Sequence, residues 1–303
     1  QFKWDVAVSG SVAAGTVAVV PVEVPTKAMI QAGTLQPSCA DLRFVNGHGD
    51  WVNYWIDPIP GCNAENPTTQ TIVWVELTER TGSSFEMLSG HPEAEPVSSS
   101  DIFEIFEDFE SDPLADGWTV QTGTQCRLPE FTGDEDSFSI SSTLAISGTH
   151  SQMIDTETKA GGSIEKLLAL NATFTNAFTL KGYLYDSGCN GAHWMSPNFA
   201  SCEIMVGAEN DRAFLPSEKN SALGLFTCTV EDSYASAYPW HSAHVSRSPG
   251  WHSLEVSSTG TVLTVKVDSK VVDTIALTGG NSISLDKIFI HGGMYGSAFE
   301  AAA

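Results

Sequence analysis

Positive charge is scarce in this sequence. Its 303 residues include 14 Lys and Arg against 37 Asp and Glu, which gives a formal net charge of −23 at pH 7. A surface of that sign repels the phosphates of nucleic acids and anionic membranes, so we predict neither as a partner. No apolar run approaches the ~20 residues that cross a bilayer, so we predict no membrane span.

Several catalytic signatures are also missing. The chain has no Gly-x-Ser-x-Gly elbow, no Gly-rich phosphate loop, no dinucleotide fingerprint and no Cys-x-x-Cys pair. His241 and His244 have a spacing that metal ligands use, but no third ligand of suitable spacing is apparent. We therefore predict no catalytic residues, no metal site and no enzymatic activity.

The cysteines indicate an oxidising compartment. They are even in number: Cys39, Cys62, Cys126, Cys189, Cys202 and Cys228. Disulfides persist in secreted proteins, and Asn171-Ala-Thr is a glycosylation acceptor. The chain begins at Gln1 rather than Met, as after removal of a signal peptide. We expect a secreted or surface-exposed protein that carries a glycan on Asn171.

The predicted disulfide pairs differ in how firmly the sequence specifies them. Cys39 and Cys62 bracket an Arg-Phe strand and a Tyr-Trp strand, so we predict that they pair within the first domain. For the other four cysteines three pairings are open. We favour a disulfide between Cys189 and Cys202, which would close a short loop, and one between Cys126 and Cys228, which would close a longer one.

Nearly every segment has the pattern of a β-strand. Short β-branched or aromatic runs alternate with Gly, Pro, Asn or Asp throughout. In "TVLTVKVD", Thr264 and Lys266 share one face while Val265 and Val267 share the other, as in a half-buried antiparallel strand. Only "GGSIEKLLALNAT" looks helical. The pattern predicts an all-β fold.

The chain is long enough for two domains. We predict a small β-sandwich over residues 1–90 and a jelly-roll sandwich over residues 106–303. Between them, residues 91–105 include the Ser-, Pro- and Glu-rich run "HPEAEPVSSS", which indicates a linker or connecting strand.

Two resemblances support this division. An uncharacterised family of extracellular β-domains, a domain of unknown function, is resembled by "DLRFVNGHGDWVNYWID" followed by "TIVWVEL". Members of that family read Asp-Leu-Arg-Phe, Tyr-Trp-Ile and Ile-Trp-Val in this order. That resemblance implies no catalytic residues and a place in large surface or adhesive proteins. "KGYLYDSG" and "GWHSLEVSSTGTVLTVKVDSKVV" are similar in pattern to concanavalin-like and laminin-G-like jelly rolls, a fold shared by lectins and some glucanases.

The acidic run "DIFEIFEDFE", residues 101–110, raises the question of catalysis. As a strand it would place Glu104, Asp108 and Glu110 on one face. Retaining glycosidases hold two carboxyl groups ~5 Å apart. However, Phe106 occupies the position where glucanases of this fold carry a central Asp. We therefore favour a joint between the domains over an active site.

Other candidate contacts lie in turns and loops. Asp134 and Asp136 are candidate calcium ligands, although a charged hairpin tip is the favoured explanation. Aromatic residues that could stack on sugars, or be buried between copies of the chain, are Phe2, Trp4, Trp194, Tyr238 and Trp240. The first strand, which carries two of these residues, either completes a neighbour's sheet or pairs within its own domain.

These observations leave three functions. The favoured hypothesis is a non-enzymatic structural subunit that self-assembles with its own copies into an extracellular filament or surface layer. The alternative is a carbohydrate-binding, lectin-like adhesive module of a surface protein. A glycoside hydrolase is less favoured, because no complete catalytic set is present.

Overall fold

The structure is a computed structural model and describes most of the first third of the chain and the strands of the remainder. The described residues are 2–7, 12–59, 61–62, 70–81, 84–112, 114–121, 138–155, 162–167, 178–186, 204–209, 222–228, 233–237, 242–246, 250–259, 261–276, 287–292 and 298–302. The chain forms two compact units, Gln1–Phe106 and Glu107–Ala303. Their independence as domains stays a prediction.

The first unit is a small β-sandwich. Its strands are β1 (Phe2–Ala7), β2 (Val17–Val24), β3 (Arg43–Asn46), β4 (Trp51–Val52), β5 (Tyr54–Ile56), β6 (Thr71–Thr78) and β7 (Ser84–Ser89), and its helices are α1 (Thr26–Gln31) and a 3-10 turn (Ser100–Ile102). One sheet has the order β1-β7-β3-β4 and the other the order β2-β6-β5. All the pairs in both sheets are antiparallel.

Alternate residues of both sheets form one core. Phe44 is fully buried, and its ring makes edge-to-face contacts with Tyr54 and Phe85, whose centroids are 5.2 and 5.7 Å away. Val73 and Val75 of β6 are also fully buried. A disulfide joins Cys39 to Cys62, with their Cα atoms 6.0 Å apart, as predicted for this unit.

The Ser-, Pro- and Glu-rich segment, which the sequence predicts as a linker or connecting strand, is hydrogen-bonded to the first unit. We call residues 91–106 the strap. Arg43 donates a hydrogen bond to the carbonyl of Glu95 at 2.6 Å. The backbone N–H of Ser99 donates to the carbonyl of Tyr54 at 2.9 Å, and the N–H of Ile56 donates to Oγ of Ser98 at 3.2 Å. The strap therefore lies along β5, a strand at the edge of its sheet.

The acidic run is not a strand, which corrects the strand pattern considered for it. It begins in the 3-10 turn, and residues 103–110 are irregular. Phe103 and Phe106 stack on each other, with centroids 5.9 Å apart, and both pack edge-to-face against Trp55. Phe103 also contacts Trp74. An extended strand would point residues 103 and 106 to opposite faces, so burial of both rings on one tryptophan favours the bend.

The second unit is a larger antiparallel sandwich. Its strands are β8 (Trp118–Gln121), β9 (Phe138–Ser141), β10 (Ser151–Asp155), β11 (Gly162–Leu167), β12 (Phe178–Asp186), β13 (Ile204–Glu209), β14 (Ala222–Cys228), β15 (Ser233–Ala237), β16 (Ser242–Ser246), β17 (Gly250–Ser258), β18 (Val262–Val267), β19 (Lys270–Ala276), β20 (Lys287–Gly292) and β21 (Ala298–Ala302). One seven-stranded sheet has the order β19-β18-β17-β12-β21-β10-β9, and the other has the order β16-β15-β14-β13-β20-β11-β8. The two sheets form facing layers, in which β14 contacts β17 and β16 contacts β19. The predicted all-β class is confirmed.

Residues 162–167 of the segment with a helical pattern form strand β11, which corrects the prediction for that part, and the other residues of the segment lie outside the described ones. β11 pairs with β20 on one side and with β8 on the other. Ladder hydrogen bonds on both edges outweigh a weak local preference for helix. The short helix α1 has no strong sequence signal, since its N-terminus has no side-chain cap. Among the described residues, no helix is long and apolar enough to cross a membrane.

Candidate functional site

Four strands of the first seven-stranded sheet, β12, β17, β18 and β19, have a buried, mainly apolar face and a mainly polar face. On β18, Val265 and Val267 are 0% and 2% exposed, whereas Thr264 and Lys266 are partly exposed, so the predicted alternation is confirmed. Paired residues of antiparallel neighbours share a face, and the register therefore extends this assignment to β12, β17 and β19. We call the polar face the set Thr179, Lys181, Tyr183, Tyr185, Trp251, Ser253, Glu255, Ser257, Thr264, Lys266, Thr274 and the exposed Val271, which pairs with Lys266.

Two aromatic side chains occupy one end of the polar face. Tyr185 of β12 pairs with Trp251 of β17, and their ring centroids are 5.5 Å apart at an interplanar angle of 70°. Both residues are only partly buried. In the same row, β21 places Glu300 at the register position opposite Tyr185. This end of the sheet offers partly exposed rings on neighbouring strands.

A row of paired charges crosses the polar face further along the strands. Glu255 lies between Lys181 of β12 and Lys266 of β18 in the register. The Nζ atom of Lys266 donates to Oε1 of Glu255 at 2.5 Å. The Nζ atom of Lys181 lies 5.4 Å from the ring centroid of Tyr183, within cation–π range. These contacts hold the charged groups in place against the sheet.

A row of hydroxyl groups follows. Thr179, Ser257, Thr264 and Thr274 lie side by side on β12, β17, β18 and β19. Each is partly or largely exposed. Neighbouring strands are ~4.8 Å apart, so the four residues span about 14 Å across the sheet. Between this part of the face and the aromatic end, Tyr183 and Ser253 are buried, at 2% and 5% exposed.

The hairpin next to the charged row is locked by a histidine and an aspartate. Asp268 and Ser269 form the tight turn between β18 and β19, both with positive φ, at 50° and 65°. Oδ2 of Asp268 makes a 2.9 Å hydrogen bond with Nδ1 of His252, and its Oδ1 accepts from the N–H of Ser253 at 3.0 Å. Burial raises the pKa of Asp268, but these hydrogen bonds outweigh burial and leave that pKa below its usual value. The turn thus fixes β18 and β19 against β17.

Glu107 and Glu110, two of the three carboxylates of the acidic run that fall in the second unit, accept hydrogen bonds from groups of the same unit. Glu107 is 7% exposed, and it accepts hydrogen bonds from the indole of Trp118 at 2.7 Å and from the N–H of Phe109 at 3.1 Å. Glu110 accepts from the hydroxyl and N–H of Thr149, at 2.7 and 2.6 Å, and from the N–H of His150 at 2.8 Å. Its Oε2 also lies 3.1 Å from Nδ1 of His150. Both groups thus anchor the start of the second unit.

The pKa of Glu110 leads to a prediction for acid stability. The hydroxyl of Thr149, the ring of His150 and the N–H of Thr149 lower this pKa from its ordinary 4.5 to about 2. A depressed native pKa stabilises the fold above the unfolded value, and that stabilisation is lost as the pH falls from about 4.5 to about 2. We expect Glu110→Gln to remove this part of the pH dependence. The measurement is a thermal melt of both proteins across that pH range; parallel pH profiles would contradict the assignment.

The structure places some of the sequence-predicted contact residues. Trp4 is partly buried and packs against the core of the first unit, because β1 pairs with β7 of the same unit. Phe2 is 43% exposed, with its ring centroid 6.1 Å from that of Trp4. The other predicted positions lie outside the described residues, or outside those whose side chains are described: Asn171, Trp194, Tyr238, Trp240, Asp134, Asp136, Cys126, Cys189, Cys202, Cys228, His241 and His244. No cluster of potential metal ligands occurs among the described residues.

Sequence reasoning missed the polar face. The signal was present in "KGYLYD", where Lys181, Tyr183 and Tyr185 alternate with smaller or apolar residues. What the sequence lacked was the pairing that brings Trp251 beside Tyr185. The sequence-based candidates Trp194, Tyr238 and Trp240 were chosen as loop residues, whereas Tyr185 and Trp251 lie on strands.

Comparison with protein families bears on the first unit and the first residues of the second. A family model described as a domain of unknown function (DUF2341) matches residues 38–121. The match contains the segments Asp-Leu-Arg-Phe (41–44), Tyr-Trp-Ile (54–56) and Ile-Val-Trp-Val (72–75), so this part of the sequence-based resemblance is confirmed. It covers less than half of the chain. No curated protein matches the chain.

Several solved structures are similar over about two thirds of the chain. A glycoside hydrolase family 16 endo-glucanase from Bacteroides ovatus has 11% identity and a TM-score of 0.41, with 66% of this chain and 86% of that chain covered. The CBM2 module of the evolved Dit protein of Lactobacillus casei BL23 phage J-1 has 13% identity and a TM-score of 0.42, with coverages of 64% and 90%. A galectin-like protein of unknown function from Bacillus subtilis has 9% identity and a TM-score of 0.39, with coverages of 65% and 96%. Likenesses this low assign no activity to this chain.

Proposed function

We propose that the second unit is a carbohydrate-binding, lectin-like module whose ligand contacts the polar face. The observation that carries this proposal is the partly exposed pair of Tyr185 and Trp251 on adjacent strands. Aromatic rings present a broad apolar surface with an electron-rich face, and the C–H groups on one side of a pyranose pack against such a face. A rigid sheet holds both rings in position before the ligand arrives, which lowers the entropy cost of binding.

The remainder of the polar face supports the same class of ligand. Sugar hydroxyls both donate and accept hydrogen bonds, and the face offers hydroxyl groups that do the same in Thr179, Ser257 and Thr264. Several are only partly exposed and are fixed by strand pairing. A site with a few apolar rings and several positioned polar groups is the usual composition of a small-molecule site.

The first test is Trp251→Ala. A sugar ring that covers ~60 Å² of the indole contributes about 1.5 kcal/mol at ~25 cal/mol per Å². Loss of that contact should weaken glycan binding about tenfold. The measurement is a glycan array with the full chain, followed by calorimetry on the glycans that bind.

Two variants control this experiment. Trp251→Phe keeps an aromatic ring and should retain most of the affinity. Trp51→Ala removes a tryptophan of the first unit that is 68% exposed, and it should leave binding unchanged. Binding by the wild-type chain that survives Trp251→Ala undiminished, or no binding to any glycan on the array, would overturn the proposal.

The other sequence-based functions stand as predictions. For self-assembly into a filament or surface layer, Trp4 was a candidate contact between copies of the chain. Trp4 packs against the core of the first unit, so replacing it would disturb the fold as well as any such contact. The same sequence features that favour a secreted location, six cysteines and an acidic surface, suit a module that meets glycans outside the cell. We therefore propose an extracellular, non-enzymatic binding module.

A further inference from the structure

We infer that the polar face contacts a neutral, unbranched polysaccharide at two separate places, the aromatic end and the hydroxyl row. This inference rests on the proposed function and adds the class and the minimum length of the ligand. The two places lie on the same pair of strands, since Thr179 and Tyr185 are on β12 while Ser257 and Trp251 are on β17. Six residues separate them on each strand, which corresponds to about 20 Å.

The buried middle of the face is what divides the site in two. Tyr183 and Ser253, which lie between the two places, are 2% and 5% exposed. Other atoms of the protein therefore cover the middle of the face, and a ligand that contacts both places passes over them. Short sugars fit on the aromatic end alone, and only a chain about 20 Å long also reaches the hydroxyl row.

The net charge of the whole chain selects against acidic chains, whereas the polar face itself carries two lysines, Lys181 and Lys266, and one glutamate, Glu255. Glu255 is hydrogen-bonded to Lys266, and Lys181 lies over the ring of Tyr183, so the charged row already has internal partners. The chain as a whole carries a net charge of −23, which repels polyanions. Beside the charged row, the four hydroxyl side chains offer neutral hydrogen-bonding groups at a regular spacing. This set favours a chain with many hydroxyl groups and no carboxylates or sulfates.

Two contacts on one ligand strengthen binding through effective concentration. Once one part of a chain is bound, the second contact forms within the same complex, and the affinity exceeds that of either contact alone. A short ligand gains nothing from the second contact. Affinity should therefore rise in a step as the ligand becomes long enough to reach both places.

The experiment measures binding of the full chain to neutral oligosaccharides from two to eight sugars long, in cello-, xylo-, manno- and laminari- series. In the series that binds, we expect the long members to bind at least tenfold more tightly than the disaccharide. Polygalacturonate and heparin are the acidic comparison and should bind more weakly than the long neutral members. Affinity that does not rise with length, or tighter binding of the polyanions, would overturn the inference.

Thr264→Val separates this inference from the proposed function. The change removes one hydroxyl of the row and keeps the β-branched shape, so the strand is retained. We expect the long ligands to lose about fivefold in affinity, as for one hydrogen bond, with no change for the disaccharide. The matched control is Thr143→Val, in the segment after β9, which is five strands away from β18 in the same sheet.

The outcomes distinguish the two proposals. Short sugars that bind through Trp251, with no gain from length and no effect of Thr264→Val, would overturn the two-place ligand and leave the proposed function standing. No binding by any oligosaccharide of any length would overturn both.

Discussion

Phe44→Ala is expected to destabilise the first unit by about 3–5 kcal/mol, as for other buried phenylalanines. Phe44 is fully buried, and its ring contacts Tyr54 and Phe85 on opposite layers of the sandwich. Its removal leaves a cavity where the two sheets meet. Since a domain of this kind is stable by only about 5–15 kcal/mol, the loss is a large share of its stability.

Hydrogen exchange on the full chain measures this effect within one unit. Peptides from β3, β6 and β7 should lose protection, while peptides from β12 and β17 of the second unit serve as an internal reference. Trp51→Ala is the matched control, because Trp51 pairs with Val45, the neighbour of Phe44, yet is 68% exposed. It should change stability by no more than about 0.5 kcal/mol. Equal losses in the two variants would show that the core does not depend on Phe44.

Local sequence patterns were sufficient to predict a strand and its buried residues where one face of the strand is apolar and the other polar. The alternation in β18 identified Val265 and Val267 as buried, and the structure agrees. β11 shows where local pattern fails, because its ladder partners lie in β8 and β20, the latter about 120 residues along the chain. Strand pairing between residues so far apart in the chain cannot be identified from a short stretch of sequence.

The strap and the polar face were missed for the same physical reason. Composition makes residues 91–105 look like a linker, yet the hydrogen bond from Arg43 that holds Glu95 comes from a strand about 50 residues away. The aromatic end of the polar face depends on the register of Tyr185 with Trp251, across a similar separation. In both cases the residues themselves are ordinary, and only their long-range pairing gives them a role.

The Asp-Leu-Arg-Phe motif of the first unit is explained by the fold. Asp41 and Leu42 are 2% and 0% exposed, and the carbonyl of Leu42 accepts a hydrogen bond from the hydroxyl of Tyr54 at 2.5 Å. Arg43 donates to the carbonyls of Ala40 and Leu42 as well as to the strap. Each member of the motif is thus engaged inside the unit. The motif identifies a fold, and function has to be sought on other surfaces.

Asp41→Asn tests this structural explanation, and we expect it to destabilise the first unit by about 2–4 kcal/mol. Oδ1 of Asp41 accepts from the N–H of Gln36 at 2.8 Å, and Oδ2 accepts from the N–H groups of Gly90 and His91 at 2.6 and 3.2 Å. An amide has one oxygen, so its NH₂ group would face at least one of these donors and leave it buried without an acceptor. Hydrogen bonds to charged groups are worth about 1.5–3 kcal/mol, and a buried unsatisfied donor costs about 1–3 kcal/mol.

The place where protection from hydrogen exchange is lost distinguishes release of the strap from unfolding of the whole unit. Because Asp41 holds residues 90 and 91, where the strap begins, exchange should increase first in a peptide that covers residues 90–99. Asp50→Asn is the matched control: Asp50 is hydrogen-bonded to Arg80 and Asn46, but its side chain is 48% exposed. It should cost no more than about 1 kcal/mol. If Asp41→Asn left the exchange of the strap unchanged, the buried carboxylate would not be what fastens the strap to the sandwich, and the motif would need a functional explanation instead.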